Sequence, residues 1–151
     1  MSRFALVLTL APLMAFAKPW QGILPGGSSS LDVIGKFGEP TRRATARGQE
    51  VLIYTGQQAI KGTVQAQFKC DQTTREVQRI DVYPEPVLDM AAIEGSYGKA
   101  CEATAGAEPC YWRKQTAQKR DYFLYAKLGL AIFFKEDGKT VLSFAFLPAQ
   151  L

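Results

Sequence analysis

Alternation is the dominant pattern along this chain. In Val64-Gln65-Ala66-Gln67-Phe68-Lys69 the apolar side chains share one face and the polar ones the other. A strand in an antiparallel sheet buried on one side reads this way. Residues 50–54 predict a strand before it and residues 77–83 one after it. Further strands are predicted over 110–116, 121–127, 130–134 and 140–147. Asp137-Gly138, between Phe134 and Val141, is a hairpin turn signal. Gln57-Gln58 and Asp71-Gln72-Thr73-Thr74 mark looser turns.

Two stretches break the alternation with a helical period. Residues 29–38 place Leu31, Ile34 and Phe37 on one face, with Ser29 and Asp32 spaced as a capping box. Gly38 and Pro40 end that helix. Residues 87–97 predict a second helix, with Pro86 near its start, Leu88, Ala91 and Ala92 inside it, and Gly98 at its end. Helices this short need packing against a partner rather than propensity alone.

The order of elements occurs twice. Val33-Ile34-Gly35-Lys36-Phe37-Gly38 is echoed by Ile93-Glu94-Gly95-Ser96-Tyr97-Gly98, and Val51-Leu52-Ile53-Tyr54 by Tyr122-Phe123-Leu124-Tyr125. Phe68-Lys69 is echoed by Phe134-Lys135, and residues 77–84 by residues 141–148. Four echoes in one order point to a tandem duplication. The expected fold is α+β: two tandem repeats, residues 18–85 and 86–151, each a short helix packed on one face of an antiparallel sheet of three to four strands, together forming one compact unit.

Residues 1–17 read as an export leader. Arg3 gives a short positive start, an apolar stretch follows from Phe4 to Phe16, and Ala15-Phe16-Ala17 fits a small-x-small cleavage site before Lys18. Pro12 argues against a stable helix there, and the stretch is shorter than the ~20 apolar residues of a membrane span. No cysteine sits at the cleavage site, which speaks against a lipid anchor. The mature chain is therefore expected in the periplasm or outside the cell, without stable membrane insertion. In an oxidising compartment, Cys101 and Cys110, separated by a turn-like Ala105-Gly106-Ala107-Glu108-Pro109, are expected to form a disulfide. Cys70 is then left as a buried or half-buried thiol.

Composition narrows the chemistry. The chain has no histidine, so the usual general base and the usual metal ligand are missing. No G-x-S-x-G, metal-ligand spacing or phosphate-cradling glycine loop appears. Carboxylates such as Glu85 and Asp89 form no specific catalytic pattern. Neither an enzyme nor a cofactor or metal site is expected. The net charge of +4 is mild and dispersed. Arg42, Arg43 and Arg47, the densest basic group, read as a solvated edge strand rather than as a nucleic-acid stripe.

Alternation assigns Ile80, Val82, Phe144 and Phe146 to the helix side of the sheet. It turns Gln65, Gln67, Arg79, Asp81 and Tyr83 outward, with Ala131, Phe133, Ser143, Ala145 and Leu147 from the second half. An apolar patch rimmed by polar groups suits a protein interface, where aromatic and arginine side chains are the usual anchors. Phe133, Trp112, Tyr111, Tyr83 and Arg79 are the candidate binding residues.

Gly27-Ser28-Ser29-Ser30, then Val33, then Phe37-Gly38-Glu39-Pro40 resembles the G-x-S-x-x-x-V…G-x-P opening of the small outer-membrane lipoprotein family, which includes the accessory lipoprotein of the β-barrel assembly machine. A tandem pair of such units resembles the β-lactamase inhibitor protein fold, in which a saddle-shaped sheet face clamps a target enzyme. Cys101 and Cys110 match the disulfide that follows the helix in that fold. The resemblance implies a non-catalytic protein that binds another protein through its open sheet face, as an inhibitor or regulator. Its alternative implication is an accessory or scaffold role in outer-membrane assembly. A small ligand in the concavity is a further possibility.

Overall fold

The structure, a computed structural model, describes residues 17–149. Apart from Ala17, the expected leader lies outside the described residues. Along the chain come helix α1 (Ser30–Phe37), strands β1 (Arg42–Ala46), β2 (Gln49–Thr55), β3 (Thr63–Asp71) and β4 (Val77–Pro84), helix α2 (Met90–Tyr97), then β5 (Trp112–Gln115), β6 (Asp121–Tyr125), β7 (Leu130–Phe134) and β8 (Val141–Phe146). All eight strands form one antiparallel sheet in the order β1-β2-β3-β4-β8-β7-β6-β5.

This continuous sheet corrects the expectation of two tandem helix-plus-sheet repeats. Each four-strand block does not stand as a sheet of its own, because β4 and β8 pair through Ile80 with Phe146, Asp81 with Ala145 and Val82 with Phe144. Left apart, both strands would be edges, with unpaired N–H and C=O groups beside large apolar side chains. Pairing satisfies the ladder and buries Ile80, Val82, Phe144 and Phe146 in a single core.

The predicted strands are present, with local differences. β1 is the solvated edge read from Arg42 and Arg43, exposed along its whole length. At the other edge, β5 is likewise exposed. Val64 does not share the core face with Ala66 and Phe68. The pairing of β3 with β4 shifts between Thr63 and Gln65, which turns Val64 out to 58% exposure. A bulge inserts an extra residue and breaks the period of two.

α1 has the expected capping box. The Ser29 hydroxyl accepts from the Asp32 N–H at 3.2 Å, and the Asp32 carboxylate accepts from the Ser29 N–H at 2.8 Å. Ile34 and Phe37 pack against the core as expected, but Val33 takes the place expected of Leu31. Val33 is fully buried and Phe37 joins an aromatic cluster, while Leu31 points to solvent. Ser30, Val33 and Phe37 sit at i, i+3 and i+7, which is the face a two-turn helix presents to the sheet. α2 begins later than expected because Asp89 is its cap, accepting from the Ala92 N–H at 2.8 Å. Leu88 stays extended, its carbonyl accepting from the Val141 N–H.

Two aromatic groups fill the space between helices and sheet. Trp20, Phe37 and Tyr54 surround Phe68, with ring centroids 5.7–6.0 Å from it. Around Tyr125 stand Tyr97 and Tyr111. The Tyr54 hydroxyl donates to the Gly38 carbonyl, and the Tyr125 hydroxyl donates to the Gly98 carbonyl, so each tyrosine ties its sheet block to the end of the helix above it. Burial pushes the Tyr54 phenol up to about 12. Two eight-residue helices, each about 12 Å long at 1.5 Å per residue, cannot cover a sheet about 34 Å wide at ~4.8 Å per strand. Trp20 and Leu88 partly fill the gap over β4 and β8. A cavity of about 280 Å³ remains beside Val82, Tyr97, Phe144 and Phe146.

The β7–β8 turn carries a pH dependence. The Asp137 carboxylate accepts from the Thr140 hydroxyl and from the N–H groups of Thr140 and Lys139. These bonds, the hydroxyl bond foremost, draw its carboxyl down to about 2. A folded-state pKa below the unfolded one means stabilisation that is complete above the ordinary carboxylate range and disappears as pH falls towards 2. Asp137→Ala should therefore lower the melting temperature at pH 7. The gap between variant and wild type should close between about pH 4 and pH 2. Melting curves taken across that range check it; a gap that persists undiminished at pH 2 would refute it.

Candidate functional site on the open sheet face

The face of the sheet away from the helices carries one row of side chains that crosses every strand. It runs Arg42, Ile53, Gln67, Asp81, Ala145, Ala131, Leu124, Trp112. A second row sets Lys114 opposite Tyr122, Tyr122 opposite Phe133, and Phe133 opposite Ser143. No helix covers this face, yet Ala131, Ser143, Ala145 and Asp81 are buried. Small side chains form the floor, and larger ones rising from neighbouring strands close over it. The resulting cleft, about 240 Å³, is lined by Lys69, Arg79, Asp81, Tyr83, Phe133 and Ser143, among others.

Asp81 holds the cleft together electrostatically. Arg79 Nε donates to both its carboxylate oxygens, at 2.9 and 3.0 Å, and an Arg79 terminal nitrogen donates at 2.8 Å. Lys69 Nζ lies 3.2 Å from the same carboxylate. The Arg79 guanidinium also sits over the Phe133 ring, 5.9 Å from its centroid, and Phe133 stacks on Tyr122 at 5.0 Å. Burial, then the charge of Asp81, raises the Tyr83 phenol above its ordinary value, so its hydroxyl keeps its proton at neutral pH.

Phe133, Arg79 and Tyr83 thus meet in one cleft. Trp112 lies further along the same face, on the edge strand and 46% exposed. Tyr111 is corrected: it is buried on the helix side, stacked on Phe123 with centroids 3.7 Å apart. Neighbouring residues on a strand point to opposite faces, so an outward Trp112 requires an inward Tyr111. The Cys101–Cys110 disulfide, with Cα atoms 4.8 Å apart, fixes this phase by tying the chain just before Tyr111 to the loop after α2. Cys70 is fully buried, and burial pushes its thiol up to about 12, which suits packing rather than nucleophilic attack. Lys69, Tyr122 and the anchoring role of Asp81 were not singled out from the sequence. The i, i+2 spacing of Arg79 and Asp81 was a readable signal for one pair; Lys69 needs the β3–β4 register.

Among the described residues, no group of three cysteine, aspartate or glutamate side chains is placed to hold a metal ion. None of the helices among them is long and apolar enough to cross a membrane. The disulfide is compatible with an exported protein.

No protein-family model matches the sequence, and no curated protein matches it. Among solved structures, the chain is similar to a DUF4309 family protein, YjgB, from Bacillus subtilis. The TM-score is 0.59 at 13% identity, over 86% of each chain. At that identity the likeness is one of fold. A cysteine-rich secretory protein from Staphylococcus aureus matches over 81% of this chain and 42% of its own, with a TM-score of 0.41 and 14% identity.

Proposed function

We propose that this chain is an exported, non-catalytic binding protein that engages another protein through the open face of its sheet, as an inhibitor or regulator. The observation that carries the reading is the uncovered face itself: an aromatic and cationic cleft, with Trp112 on the same surface, opposite the face that the helices cover. Interfaces of this kind draw most of their affinity from a few aromatic and arginine anchors. The leader-like N-terminus and the disulfide support a site of action in the periplasm or outside the cell.

The test is capture. The chain from Lys18 onward, immobilised, is exposed to envelope and secreted fractions of its source beside a Trp112→Ser, Phe133→Ser double variant. Proteins held by the wild type should be lost from the variant, with affinity reduced at least about tenfold, while the two melt within a few degrees of each other. Equal capture by both would overturn the assignment of the face. If the face-dependent proteins are outer-membrane barrels or their assembly factors, the accessory role in envelope assembly replaces the inhibitory one.

A further inference from the structure

We propose that the cleft beside Asp81 receives a single carboxylate side chain of the partner protein, gripped by Arg79 and Lys69; this rests on the open face being the interface. Asp81 is buried, and it holds both cations by 2.8–3.2 Å contacts. The Arg79 and Lys69 side chains remain 35% and 31% exposed, so each still offers donors to the cleft. Two cations against one carboxylate leave one positive charge over. Of the other charged residues that line the cleft, Arg120 is paired with Glu136 and Asp121 with Arg113. The Tyr83 phenol keeps its proton, and the Ser143 hydroxyl can donate as well. One surplus positive charge surrounded by donors in a half-closed cleft selects an anion, and charge-assisted bonds of this kind are the strong ones. Phe133, held between Arg79 and Tyr122, supplies an apolar wall. The matching ligand is an aspartate or glutamate next to an aromatic or large aliphatic side chain. A nucleic-acid backbone would need a line of cations along the surface, whereas this site has a single concentrated point.

The experiment uses a random linear peptide library displayed on phage. It is selected on the intact protein and counter-selected on the Trp112→Ser, Phe133→Ser variant, so that only binders of this face remain. The retained peptides should share an acidic residue beside a bulky apolar one. In a synthetic peptide, exchanging that acid for its amide should weaken binding at least about tenfold. Arg79→Gln should weaken the acidic peptide to a similar degree and leave the amide peptide little changed, so that the two losses are not additive. Lys69→Gln gives a second cycle, and the exchange within the peptide leaves the protein's own packing untouched. Face-dependent peptides without a shared acidic residue, or additive losses, overturn the carboxylate receptor while leaving the open face as the interface. A selection in which every binder of the intact protein is lost to the counter-selection, so that no face-dependent peptide remains, overturns the interface, and the receptor with it.

Discussion

Phe68→Ala should destabilise the protein by about 3–5 kcal/mol, a large part of the stability of an ordinary single domain. Phe68 lies in the middle of β3, is fully buried, and pairs with Leu52 on β2 and Ile80 on β4. Three aromatic rings come from three different segments to meet it: Trp20 from the N-terminal stretch, Phe37 from α1 and Tyr54 from β2. Truncation loses the transfer energy of the ring and leaves a void that three rigid rings and a hydrogen-bonded ladder cannot easily fill. Phe68→Leu keeps most of the volume and should cost about 1–1.5 kcal/mol. Urea denaturation gives both values. A Phe68→Ala midpoint shift equivalent to less than about 1 kcal/mol would show that the cluster re-forms around the gap.

The second large effect is expected at Gly129, where the chain turns from the short 3-10 segment Ala126–Leu128 into β7. Its φ of +61° and ψ of 37° are left-handed, a conformation that costs an alanine about 1–2 kcal/mol. A Cβ there would lie 2.2 Å from the Leu147 carbonyl oxygen and 3.3 Å from the Ala149 nitrogen, both backbone atoms. Leu147 cannot simply retreat, because its N–H donates to the Gly129 carbonyl at 2.7 Å. Gly129→Ala should therefore cost about 3 kcal/mol or more in thermal unfolding. Gly138→Ala is the control. Its φ of +68° is also left-handed, but nothing lies within 4 Å of the added carbon, so only the conformational cost of about 1 kcal/mol should appear. Equal losses at the two positions would mean that backbone geometry, rather than the close approach of the segment after β8, decides both.

The local pattern announced individual elements well and their assembly poorly. Alternation found β2, β3, β4 and β6 to β8 within a few residues, because a half-buried strand imposes its period on nearly every position. The capping box at Ser29 and Asp32 was legible because both partners lie within four residues. What alternation could not supply was contact over distance. Ile80 and Phe146 are far apart in sequence, and nothing in either strand names the other as its neighbour, so two sheets were expected where one forms. Val64 was misplaced by a bulge, and Leu31 because two turns of helix contain too few apolar positions to fix which face is buried. On the candidate site, Arg79, Tyr83 and Phe133 followed from strand phase alone. Tyr111 was misassigned because the phase of β5 depends on the disulfide-tied loop before it, which has no period to read.

The free borders of the sheet bear on how the protein behaves in company. An eight-stranded sheet that is not closed into a barrel presents two unpaired rows of backbone donors and acceptors, and such rows invite a second molecule to extend the ladder. Here one border carries Arg42 and Arg43 and the other Arg113 and Lys114. Among the described residues, Arg42 and Lys114 have no acidic partner of their own, whereas Arg43 and Arg113 are paired. Any edge-to-edge approach of two copies, whichever borders meet, brings cations against cations. The same residues that solvate each border thus work against edge-to-edge growth of the molecule into fibrils.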